Sequence, residues 1–504
     1  MTVLDMTVFD STVSDLTVRD LDERRLDGRS RRAAVDERFR PTLPRSGANA
    51  ARDYHAAVAL HRHGQLREAA ALYRAVLDVN ASDFDCLHNL GLLRAQEGRF
   101  DDAVGLLRAG ARQDPRSVEV HNNLANVLAL LRRHDEAVAG FRIAIALKPD
   151  FAEAHNNLGN ALAVQGATDE AIGHYAQALR LRPDYVDAHV NLANNLQERG
   201  RLADAATHYR QALAVSPGRA QAWLGLGQIL YETERYEEAV AAFAKAPELA
   251  DAWLGRARAL RRLRRWEDAI AAYRQALARG GDAEIIGYYL ASLGAGPAPP
   301  VAPRRLVSTL FDRDSGRYDQ LVVGTLKYRT PDLLFDAVTR FTSARQPDIL
   351  DLGCGTGLSG MRFRPIARTL AGVDLSAKMI ALARQRQIYD DLSCGELIEL
   401  LQTRADAFDI AVAADVLVYF GDLAGVFRHV RQALRVGGLF GFSVEAGDAQ
   451  DFALRSTLRY AHSAAYLSRL AHDHGFAVEA IESAVLRQED GDDVVGHLVV
   501  LRCA

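Results

Sequence analysis

The spacing of apolar residues changes near the middle of the chain. From about residue 50 to residue 283, apolar positions recur at helical spacing in successive pairs of amphipathic segments. Beyond residue 305, helical segments alternate with short apolar runs at 349–352, 370–373, 408–414 and 439–444. The first pattern predicts an all-α region, and the second predicts an α/β domain with a mostly parallel sheet.

The helical region repeats itself every 34 residues. One column holds only alanine, and the interval before its last member shortens to 30: Ala69, Ala103, Ala137, Ala171, Ala205, Ala239 and Ala269. A mostly aromatic column follows four positions later: Tyr73, Leu107, Phe141, Tyr175, Tyr209, Phe243 and Tyr273. Each unit is predicted to be two helices that cross closely at the alanine and hold the larger side chain between them.

These columns resemble the tetratricopeptide repeat, in seven copies from roughly 50 to 283. The consensus tryptophan column is filled by Trp223 and Trp253, and prolines such as Pro149 stand where the second helix should end. The sixth copy is four residues short. With Glu284–Leu293 as a capping helix, the resemblance implies a superhelical array over residues 50–293.

Two segments flank this array. Residues 1–48 combine four T-V-x-D units with an arginine-rich stretch and hold few large apolar side chains, which predicts a disordered tail. Residues 294–305 are dense in proline and glycine, which predicts an extended linker outside either core and a domain boundary. The second domain is then expected to cover residues 306–504.

A glycine-rich turn directly follows the first apolar run of this second domain. The sequence D-x-G-x-G-x-G begins at Asp351, and glycine lets the backbone turn tightly and approach a ligand closely. Leu358 stands where a dinucleotide-binding G-x-G-x-x-G would need its last glycine. Seventeen residues after Gly357, Asp374 ends the next strand, where its carboxylate can accept two hydrogen bonds from a ribose diol.

Together these features resemble the class I S-adenosylmethionine-dependent methyltransferases, over about 190 residues from Arg313 to the end. The closing segments 476–486 and 494–501 are predicted to form the antiparallel β-hairpin that ends the sheet of this family. The resemblance implies S-adenosylmethionine as the cofactor, and the four widely spaced cysteines, which form no C-x-x-C pair, indicate no metal site. It implies these cofactor-binding residues: Asp351, Gly353, Gly355, Gly357, Asp374, Leu375, Glu396, Leu397 and Ala414.

Candidate substrate contacts lie at the end of the fourth strand, before the first strand and after the fifth: Asp415, Tyr328, Arg329, Tyr460 and His462. Tyrosine and histidine there could orient a nucleophile or accept its proton. The alternative is that they pack a lid and its helix, and that Asp415 caps the following segment. No residue is identified as the catalytic base. The absence of an Asn/Asp-Pro-Pro-aromatic motif after the fourth strand argues against methylation of base amino groups.

Asparagine is unusually frequent in the first helix of the repeats. Two columns hold Asn89, Asn123, Asn157 and Asn191, and Asn126, Asn160 and Asn194. The family resemblance places this first helix on the concave face of the array. An amide can donate to and accept from a peptide group, so these columns could bind an extended protein or peptide partner on that face, as in the asparagine-lined repeats of protein O-glycosyltransferases that they resemble. The alternative is that they bond between repeats or to water.

Composition limits the remaining choices. The net charge of −4 gives no overall field that favours nucleic acid or an anionic membrane, and four widely spaced cysteines fit a reducing cytoplasm. The sequence resembles predicted bacterial methyltransferases with N-terminal tetratricopeptide repeats. It predicts a methyltransferase whose repeats recruit a protein substrate or partner complex. The alternative is an adaptor whose methyltransferase-like domain binds the cofactor but is inactive.

Overall fold

The computed structural model describes residues 47–314, 318–319, 324, 327–489 and 491–504. The chain divides into two compact units between Pro247 and Glu248. The predicted tail, residues 1–48, lies outside the described residues except for its last two positions, which begin the first helix.

The described part of the first unit is helical. Consecutive helices pair within each repeat, and their bounds are α1 Gly47–Arg62, α2 Leu66–Val79, α3 Phe84–Gln96, α4 Phe100–Gln113, α5 Val118–Leu130, α6 His134–Leu147, α7 Ala152–Val164, α8 Thr168–Leu181, α9 Val186–Glu198, α10 Leu202–Val215, α11 Ala220–Glu232 and α12 Tyr236–Phe243. The short sixth copy is confirmed, since α12 has 8 residues where α10 has 14.

The repeat columns have the packing roles that their spacing predicts. All seven column alanines are fully buried, and so is the mostly aromatic column four positions later. A Cβ added at Gly159 would lie 2.6 Å from the Tyr175 ring, and one at Gly227 would lie 2.6 Å from the Phe243 ring. The small residue in the first helix therefore makes room for the ring of the second.

The second unit begins with a helix pair of the same kind, and a sheet domain follows. Its helices are α13 Ala250–Arg262, α14 Trp266–Ala278, α15 Ala283–Ser292, α16 Arg304–Asp314, α17 Thr330–Thr339, α18 Leu358–Phe363, α19 Ala377–Gln385, α20 Leu397–Gln402, α21 Ala424–Ala433 and α22 Ala464–Asp473. Its strands are β1 Asp348–Leu352, β2 Thr369–Asp374, β3 Asp391–Cys394, β4 Phe408–Ala413, β5 Leu434–Ala446, β6 Phe452–Leu454, β7 Tyr460–His462, β8 Phe476–Glu489 and β9 Asp492–Cys503.

The sheet is parallel in the order β3-β2-β1-β4-β5, with β9 antiparallel to β5 and β8 antiparallel to β9. The predicted α/β sheet and its closing hairpin are therefore confirmed. The short strands β6 and β7, which extend the sheet beyond β5, are not predicted from the sequence. Because β1 to β5 run the same way, the loops after them meet along one edge.

Apolar side chains alternate between the two faces of this sheet. Leu350 and Phe440 lie in one core cluster, while Ile349 and Ile410 lie in another. Helices cover both faces, which is why the strands are apolar throughout.

The proline-rich segment packs more closely than the sequence predicts. The Pro300 carbonyl accepts a hydrogen bond from the Gly421 N–H at 2.8 Å, and the Ala302 N–H donates to the Tyr419 carbonyl at 2.8 Å. Ala302 shares an apolar cluster with Tyr288 of α15 and Tyr460 of β7. Residues 299–303 therefore do not form a spacer outside the core. A domain boundary at residue 294 stays a prediction.

Candidate functional site

The sheet domain has a cleft at the carboxyl ends of β1, β2 and β4. The space in and in front of this cleft, open solvent included, is about 800 Å³. It is lined by main-chain glycines, acidic groups and apolar side chains: Val301, Ala302, Arg304, Val307, Phe311, Tyr318, Gly353, Gly355, Val373, Asp374, Leu375, Gly395, Glu396, Leu397, Ala414, Asp415, Val416, Tyr419 and Phe420. This position at the strand ends is where open α/β sheets bind ligands.

The three glycines after β1 all have positive φ but differ in what surrounds them. A Cβ at Gly353 (φ +66°) would lie 2.2 Å from the Val416 side chain, so that glycine permits close packing. A Cβ at Gly357 (φ +97°) would lie 3.2 Å from Arg386 and Tyr389. A Cβ at Gly355 (φ +52°) would meet no atom within 4 Å, although this residue lines the cleft. Gly355 is therefore the glycine whose missing side chain leaves room for a ligand.

Asp374 fixes the turn beside this space. One carboxylate oxygen accepts a hydrogen bond from the Gly355 N–H at 2.9 Å, and the other accepts one from the Ser376 N–H at 2.8 Å. Burial raises the pKa of Asp374 in spite of these two bonds. Each carboxylate oxygen has a second lone pair, so the group can still accept hydrogen bonds from a diol in the cleft.

Asp351 lies beneath the glycine turn and is not among the residues that line the cleft. Its carboxylate accepts a hydrogen bond from the Tyr389 hydroxyl at 2.6 Å, and it is 1% exposed. Burial raises its pKa to about 7, and the nearby Asp374 charge acts in the same direction. The family resemblance predicts that Asp351 and Gly357 contact the cofactor. In the structure neither residue lines the cleft, and both lie at the glycine turn beside it.

The other predicted cofactor residues meet at the cleft. Leu375, Leu397 and Ala414 supply apolar walls, and Glu396 lies at the end of β3. An ion pair joins the Glu396 carboxylate to Arg304 of α16 at 3.1 Å. This set fits S-adenosylmethionine, since it offers an acid for a ribose diol, apolar surface for an adenine and open space beside a glycine.

Helix α16 covers one side of the cleft, and the sequence argument missed it. Val307 and Phe311 of this helix face the cleft together with Val301 and Ala302 of the preceding segment. The apolar spacing of Leu306, Val307 and Phe311 is a signal of an amphipathic helix, but it does not indicate which surface the helix packs on.

Of the predicted substrate contacts, Asp415 lines the cleft. It has a positive φ of 55°, and its carboxylate accepts hydrogen bonds from the Ser443 hydroxyl at 2.9 Å and from Arg487 at 3.1 Å. Arg487 is 4% exposed and also pairs with the buried Glu445. A non-glycine residue held at positive φ by a buried charge network is a common feature of functional sites.

Tyr328 is half-buried near Asp415, and burial of its hydroxyl, together with that charge, raises its pKa well above the usual range. Tyr318 lines the cleft and has its pKa raised for the same main reason. Arg329 is exposed at the N-cap position of α17, and its main-chain N–H donates to the Leu486 carbonyl at 3.1 Å. Two tyrosines, and not Arg329, therefore accompany Asp415.

Tyr460 and His462 are fully buried and do not line the cleft. The Tyr460 hydroxyl donates to the Pro299 carbonyl, and His462 Nε2 lies 3.0 Å from the Gly421 carbonyl. Burial lowers the pKa of His462 to about 4. Both side chains hold the segment around Gly421 in place, so the structure favours the packing alternative for them.

The first asparagine column forms a ladder of hydrogen bonds between repeats. Each first-column amide reaches a residue 35 positions earlier: Asn89 to Tyr54 at 3.3 Å, Asn123 to His88 at 2.9 Å, Asn157 to Asn122 at 3.4 Å and Asn191 to Asn156 at 3.0 Å. In the second column, Asn160 and Asn194 accept hydrogen bonds from the hydroxyls of Tyr175 and Tyr209, and Asn126 is buried. The first-column contacts favour the alternative in which the asparagines bond between repeats, whereas the second-column contacts join the two helices of one repeat.

Replacing Asn123, Asn157 and Asn191 together by alanine should therefore destabilise the array. Three hydrogen bonds are lost at about 0.5–1.5 kcal/mol each, so the free energy of unfolding should fall by about 1.5–4.5 kcal/mol. Urea unfolding followed by circular dichroism measures this change. Asn80→Ala is the control, because the Asn80 side chain accepts hydrogen bonds from Ser82 in its own turn and not from another repeat. An equally stable triple variant that loses a bound partner would restore the partner-binding role.

Known protein families match both the repeat region and the sheet domain. Residues 350–440 match a family described as a methyltransferase domain. Tetratricopeptide repeat families match residues 54–116, 88–150, 190–251 and 244–284, and residues 150–218. Within the described ranges, no helix is both long enough and apolar enough to cross a bilayer.

Curated relatives are similar over the second half. A malonyl-[acyl-carrier protein] O-methyltransferase of Yersinia pestis is 28% identical over 162 residues, which are 32% of this chain and 58% of that protein. A ubiquinone biosynthesis O-methyltransferase of Hydrogenovibrio crunogenus is 24% identical over 143 residues, 28% of this chain and 56% of that protein. The chain thus spans little more than half the length of these relatives.

A solved tetratricopeptide repeat protein from Parabacteroides merdae is 16% identical, covers 48% of this chain and 96% of its own, and has a TM-score of 0.40. The repeat region and the sheet domain are assigned from the matched families and not from this structural similarity. The chain combines tetratricopeptide repeats with a methyltransferase domain.

Proposed function

We propose that this chain is an S-adenosylmethionine-dependent methyltransferase whose repeats recruit a protein substrate or partner complex. The observation that carries the proposal is the open space at Gly355, beside the Asp374 carboxylate, in a cleft at the ends of β1 and β2. A glycine turn, a helix N-terminus and an acid at the tip of the second strand that can bind a ribose diol are common to many nucleotide sites. The match of residues 350–440 to a methyltransferase domain favours S-adenosylmethionine among the possible nucleotides.

When bound, the cofactor supplies a sulfonium-activated methyl group. Asp374 would hold its ribose, Leu375 and Leu397 would pack against its adenine, and Phe311 of α16 would exclude water from the cleft. The acceptor would enter on the side of Asp415 and Tyr318, where the chain's main task is to align it with the methyl group.

The acceptor atom is proposed to be oxygen. The support is the printed activity of the relatives above, which are O-methyltransferases. Asp415 is held by Ser443 and Arg487, which fixes its carboxylate as a hydrogen-bond acceptor that can orient a hydroxyl group. A hydroxyl acceptor loses a proton on methylation, whereas a carboxylate acceptor does not.

The proposed place of action is the cytoplasm. All four cysteines, Cys86, Cys354, Cys394 and Cys503, are free thiols, which suits a reducing compartment.

Replacing Asp374 by alanine should weaken cofactor binding by at least about tenfold, since a charge-assisted contact contributes about 1.5–3 kcal/mol. Isothermal titration with S-adenosylmethionine measures the change. The matched control is Asp391→Ala, which removes an exposed carboxylate at the opposite end of the neighbouring strand β3. Unchanged affinity in a folded Asp374→Ala protein would contradict the ribose assignment. Tight binding by the wild type without methyl transfer to any partner would favour the inactive adaptor.

A further inference from the structure

The Asp415 carboxylate, which lines the cleft, is held by donors from three other elements. Its Oδ1 accepts a hydrogen bond from the Ser443 hydroxyl of β5 at 2.9 Å. Its Oδ2 accepts bonds from Arg487 of β8 at 3.1 Å and from the Thr330 hydroxyl of α17 at 3.4 Å. The Asp415 main-chain N–H also donates to Ser443, at 2.8 Å. The position of this carboxylate is therefore fixed by β5, β8 and α17 together.

These bonds leave one acceptor position on the carboxylate. Each carboxylate oxygen has two lone pairs, so the bonds from Arg487 and Thr330 occupy both lone pairs of Oδ2. Oδ1 accepts one bond from the described part of the chain, that of Ser443. The Asp415 side chain is 15% exposed. A group that enters the cleft with a proton to donate can therefore use the second lone pair of Oδ1.

The arginine beside Asp415 is not placed to receive an anionic acceptor. Arg487 is 4% exposed and also pairs with Glu445, which is 2% exposed. Among the described residues that line the cleft, the one basic side chain is Arg304, which already pairs with Glu396 at 3.1 Å. A carboxylate acceptor would therefore bring a like charge towards Asp415, and it has no proton to donate to Oδ1.

Aromatic side chains accompany Asp415 in the cleft. Phe311 of α16 lies edge-on to Tyr318 and Tyr419, with ring centroids 6.0 Å and 5.8 Å away. All three side chains line the cleft. Burial, followed by the nearby Tyr419 and Asp415, raises the pKa of Tyr318, which places these groups close together. Such walls suit an acceptor whose reacting group is attached to an aromatic or apolar body.

We propose that Asp415 selects an uncharged hydroxyl group as the methyl acceptor and discriminates against carboxylates. The hydroxyl donates a hydrogen bond to Oδ1 of Asp415. In the transfer step its oxygen forms a bond to the methyl carbon, and the bond from that carbon to the sulfonium sulfur breaks with its electron pair left on sulfur. The hydroxyl proton passes to the Asp415 carboxylate. The proposal rests on the proposed function and its oxygen acceptor, which it deepens by naming the chemical class of that acceptor.

Phenol and benzoate are suitable probes, because they share an aromatic ring and differ in the oxygen group that it carries. Saturation-transfer NMR titrations of each probe against the full chain, with and without S-adenosylmethionine, give the two affinities. The wild type should bind phenol at least about tenfold more tightly than benzoate. Asp415→Asn keeps the shape of the side chain and removes its charge, so this preference should shrink to less than about threefold.

Asp409 offers a matched control for this substitution. It lies at the opposite end of β4 and pairs with an arginine, Arg435, at 2.8 Å, as Asp415 pairs with Arg487. Asp409→Asn should keep the preference for phenol. Transfer of a tritiated methyl group from S-adenosylmethionine to phenol measures the proton step. Its rate should fall at least about a hundredfold in Asp415→Asn and stay near that of the wild type in Asp409→Asn.

Four results would overturn the proposal. They are benzoate bound or methylated as well as phenol by the wild type, an unchanged preference in Asp415→Asn, equal loss in Asp409→Asn, and no binding or methylation of phenol by the cofactor-loaded wild type. Titration of S-adenosylmethionine into the same proteins separates this proposal from the proposed function. A wild type that prefers phenol through Asp415 but does not bind the cofactor would contradict the function and keep the selectivity.

Discussion

The Gly355→Val variant should lose S-adenosylmethionine binding, with affinity at least about a hundredfold weaker than that of the wild type. Two effects act together at this position. A β-branched residue is strained at a φ of +52°, and its side chain would occupy the space that the proposed cofactor needs. Isothermal titration gives the affinity, and circular dichroism shows whether the variant is folded.

Gly437 offers a matched control for this substitution. It has a φ of +80° and, like Gly355, no atom within 4 Å of an added Cβ, but it lies in β5 away from the residues that line the cleft. Gly437→Val should therefore carry a similar backbone strain and still bind the cofactor. Tight binding by Gly355→Val, or equal loss in both variants, would show that the glycine turn is not the cofactor site.

A fragment of residues 248–504 should fold, whereas a fragment of residues 304–504 should be strongly destabilised. The shorter fragment lacks Tyr288 and Ala302, which pack on the fully buried Tyr460. Loss of one large buried aromatic side chain costs about 3–5 kcal/mol, a large part of the stability of an ordinary domain. Urea unfolding of the two fragments under the same conditions measures the difference.

Two single variants of the full chain identify the cause. Tyr288→Ala should lower the stability of the second unit by a similar amount, while Tyr288→Phe, which removes only the hydrogen bond to Leu458, should cost about 1 kcal/mol. If the fragment 304–504 unfolds at the same urea concentration as the fragment 248–504, the last repeat contributes nothing to the sheet domain, and the boundary predicted at residue 294 would be the correct one.

The elements of this fold could be predicted because their signals are local. The alanine column and the aromatic column fix the helix pairs through contacts within one repeat, as for Ala171 and Tyr175. The apolar runs before Gly353 and Asp374 fix two strand ends in the same way. Parallel strands place those two ends side by side, so the proximity of the glycine turn and Asp374 also follows from the sequence.

The remaining features depend on contacts between distant parts of the chain. Tyr288 reaches Leu458 across 170 positions, and no spacing rule relates two such residues. The same holds for α16, whose apolar side chains face the cleft. An acid at a strand end can also accept a hydrogen bond from a side chain distant in sequence, as Asp351 does from the Tyr389 hydroxyl, and sequence alone does not show which neighbour donates to it.

The division of the chain between Pro247 and Glu248 has a consequence for how such proteins can change over evolutionary time. Copies of the repeat within the first unit could be duplicated or deleted in steps of 34 residues without altering any contact inside the second unit. The last copy and the following helix α15 are not interchangeable in this way, because Arg261 of the last copy and Tyr288 of α15 contact the loop between β6 and β7. Among homologues, the number of early copies is therefore expected to vary, whereas the last copy should be inherited together with the methyltransferase domain.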